Sequence, residues 1–115
     1  RELTWDRTSR FLATGGSSWV LVWDCSGKGP EGTKPLMLEA HADDQRVTAL
    51  AYQKEGDYLA SGGNDGLVAL WQPGTAKRPL AQAKHSAGIT TLCWSPNGRQ
   101  LLVGTDSGDL LQYGV

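Results

Sequence analysis

Hydrophobic positions in this chain come in short bursts separated by glycine, proline and acidic or polar turns, with no helical stripe between them. Val47–Tyr52 is largely apolar and opens on β-branched residues, and Lys54-Glu55-Gly56-Asp57 then turns the chain into Tyr58–Ser61. Gly62, Gly63 and Gly66 flank Asn64-Asp65, a tight-turn signal that leads into Leu67–Trp71. After Pro73-Gly74 a weaker segment runs from Pro79-Leu80 to Lys84. The spacing predicts a unit of short strands a, b, c and d. Loops this short force antiparallel neighbours, because parallel strands need long crossovers.

The unit recurs. Leu3–Gly16, LTWDRTSRFLATGG, aligns with Leu50–Gly63, LAYQKEGDYLASGG, and with Leu92–Thr105, LCWSPNGRQLLVGT. The offsets are about 47 and 42 residues, a period that marks a repeat architecture. Beyond the glycines, Val20–Asp24 corresponds to Val68–Gln72 and to Leu110–Gly114, with the aromatics Trp23, Trp71 and Tyr113 in register. Val20–Trp23 and Leu67–Trp71 are unbroken apolar runs, which predicts sheets covered on both faces. The fourth strands, Lys34–Glu39 and Arg78–Lys84, are more polar and carry prolines near their starts, as outer edge strands do. With 15 Gly and 5 Trp among 115 residues, the composition suits many turns between aromatic-bearing strands.

With these residues in view, the sequence resembles WD40 repeats, the four-stranded blades of a β-propeller, over essentially its whole length. The fold class expected is all-β, with about three antiparallel blades at residues 1–39, 46–84 and 88–115, the last lacking its outer strand. The middle unit carries the family pattern most fully, with His41 before strand a, Ser61 on strand b, Asp65 in the b–c turn and Trp71 closing strand c. The resemblance implies that these residues form a structural hydrogen-bonded chain. In it the Trp71 indole donates to Ser61, Ser61 to the His41 ring, and His41 to the Asp65 carboxylate. The first unit has Thr14 and Trp23-Asp24, with Ser18 near the Asp position; the third has His85, with Val103, Ser107 and Tyr113 in the Ser, Asp and Trp places. The full network is therefore expected in the middle unit alone. The family's Gly-His pair is altered to Ala40-His41 and Lys84-His85.

Charge narrows the function classes. Eleven Lys and Arg against 12 Asp and Glu give a net charge of −1, without the basic excess that nucleic acid or an anionic membrane surface demands. No apolar run reaches the ~18–20 residues that span a bilayer, and no leader resembles a signal peptide, so a cytoplasmic location is expected. Cys25 and Cys93 give neither a disulfide framework nor zinc-type spacing and read as small buried apolar residues.

Catalysis and cofactors are weighed and set aside. Ser61, His41 and Asp65 form a nominal hydrolase set, yet Ser61 sits in Leu-Ala-Ser-Gly-Gly within a strand, without a G-x-S-x-G elbow or a following helix. Gly27–Lys34 has the glycines of a phosphate loop but runs into Pro35 and a strand. Asp43-Asp44 beside Glu39 and His41, and Asp106 and Asp109 around Gly108, lack a cation-loop signature. No catalytic, metal or cofactor-binding residue is expected. An enzyme with a channel site, the alternative reading, would need acids or bases near Val47, Thr48, Ile89 and Thr90, which are poor candidates.

Binding is the expected role. By resemblance, the d–a and b–c loops share one face used for partners, here His41–Arg46, Ser86–Gly88, Ser17–Trp19, Asn64–Gly66 and Asp106–Gly108. The candidate partner-binding residues are Trp19, Arg46, Asp43 and Asn64, since Trp and Arg are enriched among interface hot spots. The reading is a non-enzymatic scaffold for protein or peptide partners, with a peptide or modified-residue reader as a further alternative. A propeller closes with about 4–8 blades. Either the chain is part of a longer propeller, or copies associate head to tail, a dimer of about six blades being favoured.

Overall fold

Each glycine- or asparagine-marked turn closes a hairpin, and each unit of the repeat becomes its own sheet. The computed structural model describes residues 3–15, 18–25, 36–39, 45–53, 56–72 and 79–114. The first sheet is β1 (Leu3–Trp5), β2 (Phe11–Thr14), β3 (Trp19–Asp24) and β4 (Leu36–Glu39), paired in that order. The second is β5 (Val47–Tyr52), β6 (Leu59–Gly63), β7 (Leu67–Trp71) and β8 (Ala81–Lys84). The third is β9 (Ile89–Trp94), β10 (Gln100–Thr105) and β11 (Leu110–Gly114), with no fourth strand among the described residues. Every pairing is antiparallel, and the described residues contain no helix. The chain is therefore all-β, with the sheet anatomy of partial propeller blades.

Strand ends differ from the expectation where glycine stays in the ladder. β6 extends through Gly62 and Gly63, which pair with Ala49 and Val47 on β5 instead of leaving the sheet. The reason is close packing: a Cβ on Gly62 would lie 2.5 Å from Ile89 Cγ2 in the next sheet. β4 and β8 begin at Leu36 and Ala81, later than expected; Lys34, Pro35 and Arg78 lie outside the described residues. The cysteines are a correction. Cys25 is half-buried and Cys93 is exposed, because the alternation of β9 turns Cys93 to the outward face of the third sheet.

The sheets stack face to face, small side chains against large. Ala13, Val20, Val22 and Leu38 of the first sheet pack on Leu50, Tyr52, Leu59, Ala69 and Trp71 of the second. The opposite face of the second sheet offers Ala49, Ala60 and Val68 to Ile89, Leu92, Leu101 and Val103 of the third. Among the described residues, only the second sheet is covered on both faces. The continuous apolar run of β3 had predicted the same for the first sheet, but there Leu3, Trp5, Trp19 and Met37 are exposed on the outward side.

Polar bonds stitch neighbouring sheets where the backbones approach. Tyr52 N–H donates to Thr4 Oγ1 at 3.3 Å, Trp94 Nε1 to the Ala51 carbonyl at 2.9 Å, and the buried Gln53 Nε2 to the Gly98 carbonyl at 2.5 Å. The Thr48 hydroxyl donates to the Ile89 carbonyl. Arg7 and Asp57 meet at 3.4 Å on the exposed rim, where such a pair contributes about 0–1 kcal/mol.

Asp6 organises the β1–β2 turn. Its carboxylate accepts the Arg10 and Phe11 N–H groups, both at 2.9 Å, and the Thr8 hydroxyl at 2.7 Å. Burial on its own would raise this carboxyl; the hydrogen bonds from Thr8, Phe11 and Arg10 outweigh it and hold the group below its ordinary 3.8. A depressed folded-state value gives stability that is present above 3.8 and is lost as pH falls through that lower value. Asp6→Asn is accordingly expected to be less stable than the parent at neutral pH, with the gap narrowing below pH 3.8 in denaturant titrations across the acid range. Gly62→Ala should cost about 1–3 kcal/mol by overpacking against Ile89, read as a shift in the urea midpoint. A parental midpoint would contradict the close approach of the second and third sheets.

Candidate functional site

Alternating hairpins bring the b–c turns and the d–a connections to the same end of every sheet. In the second sheet this end holds Arg46, Asn64 and Lys84, since Val47 pairs with Gly63 and Leu67 with Lys84. In the third it holds Ile89, Thr105 and the Asp106–Gly108 turn. In the first it holds Trp19 and Glu39.

The structure joins Arg46 and Asn64 directly. Arg46 N–H donates to Asn64 Oδ1 at 2.8 Å, and Asn64 N–H donates back to the Arg46 carbonyl at 3.0 Å. Both residues are exposed, and the pair of bonds pins the backbone at Arg46. The Asp106 N–H donates to the Gly88 carbonyl at 2.9 Å, and a Cβ on Gly88 would touch Asn64 and Asp106, so the loops of the second and third sheets form one surface. Trp19 is the first residue of β3 and not a loop residue, and it is 41% exposed. Asp43 and His41 lie outside the described residues.

Beneath this surface each sheet ties strand c to its neighbours through an aromatic at one repeated position. Trp71 Nε1 donates to Ser61 Oγ at 2.9 Å, both side chains fully buried. Asp65 turns its Oδ1 to the Leu67 N–H at 3.1 Å, fixing the b–c turn that Gly66 closes with a φ of 84°. A Cβ on Gly66 would lie 2.2 Å from the His85 carbonyl, so this turn requires glycine twice over. In the first sheet Trp23 Nε1 donates to Thr14 Oγ1 at 3.2 Å.

The third sheet uses a different bond, which the sequence reading had missed. Val103 offers no acceptor, and Tyr113 instead places its hydroxyl 2.8 Å from His85 Nε2, with the rings 5.9 Å apart. The signal was present: an aromatic with a polar tip, a retained histidine, and an apolar residue where the hydroxyl stood. In the adjoining turn Thr105 Oγ1 and Ser107 Oγ meet at 2.9 Å, and Ser107 Oγ donates to Asp109 Oδ2 at 3.1 Å.

These polar sets hold the fold. Ser61 has no exposed surface and carries an indole on its hydroxyl, so no substrate carbonyl can approach it. Among the described residues, no group of three His, Cys, Asp or Glu side chains is placed to hold a metal ion. No helix among them is long and apolar enough to cross a membrane.

The comparisons with known proteins agree with this anatomy. The profile of the WD domain, G-beta repeat, matches residues 32–72 and 78–112. The chain belongs to the WD40 repeat family. Its relatives include a periodic tryptophan protein 2 homolog of Caenorhabditis elegans, 24% identical over 96% of this chain and 12% of that protein. An uncharacterised WD repeat-containing protein of Schizosaccharomyces pombe is 32% identical over 89% of this chain and 19% of its own length. The human echinoderm microtubule-associated protein-like 3 is 28% identical over 96% of this chain and 11% of its own length. This WD40 chain thus spans about a fifth or less of these relatives.

For a WD40 blade the buried indole bond is a stability element. Trp71→Phe keeps most of the apolar volume and removes the donor to Ser61, and it is expected to cost about 1–3 kcal/mol in chemical denaturation. Unchanged stability would remove the Trp71–Ser61 bond from the account.

Proposed function

We propose that this WD40 chain is a non-enzymatic scaffold whose loop-bearing end receives protein or peptide partners, with Trp19, Arg46 and Asn64 as contact residues. The observation that carries the reading is the exposed, backbone-braced Arg46–Asn64 pair on one surface with the third-sheet loops, at the same end as the exposed Trp19. Trp supplies large apolar contact area and Arg a directional set of donors, and both are enriched among the residues that dominate interface energetics. The relatives' names differ widely, from periodic tryptophan protein to microtubule-associated protein-like, while the repeat is shared. Partner choice then belongs to the side chains on the loops and not to the common blade. The burial of Ser61 under Trp71 supports the non-enzymatic part of the reading.

A second element of the proposal concerns assembly. Leu3, Trp5, Trp19 and Met37 lie on one outward face of the first sheet, and the third-sheet equivalents of Leu3 and Trp5, Leu92 and Trp94, pack against the second sheet. Exposed apolar faces of this kind mark contact sites. Head-to-tail stacking of two copies, first sheet on third, would cover this face and close a ring of about six blades.

Pull-downs with the parent chain and with a Trp19→Ala/Arg46→Ala variant test the loop face; partner recovery should fall about tenfold or more. Equal recovery would reject these contact residues. Light scattering coupled to size exclusion should give a dimer at micromolar concentration, reduced to monomer by Met37→Glu. A monomeric parent would reject the stacking.

A further inference from the structure

The repeat makes one backbone clasp twice at the loop-bearing end and sets a different charge beside each. In the second sheet the Asn64 N–H donates to the Arg46 carbonyl at 3.0 Å; in the third the Asp106 N–H donates to the Gly88 carbonyl at 2.9 Å. Arg46 and Gly88 stand at the same repeat position, and so do Asn64 and Asp106. Their side chains differ. Asn64 uses its Oδ1 to hold the Arg46 N–H at 2.8 Å, so the charge at the first clasp is the Arg46 guanidinium. At the second clasp Gly88 brings no side chain, and the charge is the Asp106 carboxylate. Arg46 and Asp106 are both exposed. A Cβ on Gly88 would lie 3.0 Å from Asp106 Oδ2 and 3.1 Å from the Asn64 carbonyl oxygen, so the two clasps adjoin across a bare glycine. Among the described residues the ion pairs are Arg7–Asp57 and Arg10–Asp24, at the opposite end of the sheets. There the charges are matched within the chain. At the loop end, neither the Arg46 guanidinium nor the Asp106 carboxylate makes a hydrogen bond or ion pair among the described residues.

We propose that this surface selects a partner-protein segment carrying charges of both signs, an acidic side chain taken by Arg46 and a basic one taken by Asp106. The inference rests on the scaffold reading and names the chemistry of the partner at that same face. While the face is open, water solvates both charges. A partner that covers them removes that water, and only a counter-charge offsets the loss. A segment without charge therefore leaves two uncompensated ions, and a segment of one sign leaves one and repels it. Nucleic acid is disfavoured for the same reason, because its phosphates would fall beside Asp106 as well as Arg46. The guanidinium fork matches a carboxylate with two parallel donors, which fixes the acidic residue in place as well as in sign. Gly88, without a Cβ, lets the backbone of the incoming segment come close between the two charges.

The test selects randomised peptides displayed on phage against the whole chain. Enriched sequences are expected to carry one acidic and one basic residue at a constant separation. For a synthetic, dye-labelled peptide from that set, fluorescence anisotropy should show Arg46→Glu weakening binding about 3–10-fold, with binding restored when the peptide's acidic residue is replaced by lysine. Asp106→Lys should weaken it similarly and be rescued by glutamate in place of the peptide's basic residue. Both clasps involve the backbone of Arg46 and Asp106, so these reversals leave them in place, and rescue by the swapped peptide would show the fold intact. Enrichment of peptides with one sign of charge or none, no enrichment at all, or charge reversals that leave affinity unchanged would overturn the proposal. A selected peptide that is lost on Trp19→Ala/Arg46→Ala but ignores Asp106→Lys would reject the charge pair while leaving the scaffold reading in place.

Discussion

The constraint on which everything else in this chain depends is that a sheet of three or four short strands cannot bury itself. Each of these sheets has two apolar faces and too little area to fold alone, so its stability comes from the sheet stacked beside it. The packing answers this with a fixed polarity. One face of a sheet offers Ala and Val, as Ala13, Val20 and Val22 do or Ala49, Ala60 and Val68; the neighbour's facing side brings Leu and aromatic side chains. Small against large lets backbones approach until a glycine such as Gly62 becomes obligatory. The same rule makes the outward face of the first sheet, with Leu3, Trp5 and Met37, a large-residue face without its small-residue partner among the described residues.

Inside that frame the polar groups are local and repetitive. Every buried side-chain nitrogen or oxygen among the described residues has a hydrogen-bond partner. An indole donates to a hydroxyl in the first and second sheets, and a phenol meets an imidazole in the third. The turns repeat a second device, in which the side chain that ends strand a holds the following turn: Asp6 accepts the Arg10 and Phe11 amides, and Ser95 accepts the Gln100 amide. Gln53, at the same repeat position, crosses to Gly98 of the next sheet instead. One position thus shapes a turn in two sheets and stitches sheets together in the other, and the difference follows from side-chain length.

These regularities explain what could be read from the residues alone. Strand order, antiparallel pairing and the three-fold repeat were legible because hairpin loops are short and because Trp23, Trp71 and Tyr113 keep their place in each unit. Burial was less legible, since a continuous apolar run such as Val20–Trp23 states that a face can be covered but not whether a neighbour covers it. Cys93 shows the same limit from the other side: a small apolar residue on β9 is exposed because it faces away from the second sheet. The Tyr113–His85 bond escaped because the family pattern was applied position by position, whereas the phenol bypasses Val103 by reaching past it. Of the candidate site, Arg46 and Asn64 do meet; no sequence pattern stated that their backbones would clasp each other.

The partition of polar groups also separates what holds the sheets from what faces solvent. Among the described residues, buried side-chain nitrogens and oxygens are hydrogen-bonded within the fold, as Trp71 and Ser61 are to each other. Other polar side chains stand at the exposed ends of strands, in turns that are individually fixed. Those at loop ends can vary in sequence without disturbing the ladder, because the hydrogen bonds that set Gly66 or Asp109 in place are mostly made by backbone or by neighbours within the turn. A repeat built this way can therefore change the side chains at its loops while the ladder that holds each sheet stays as it is.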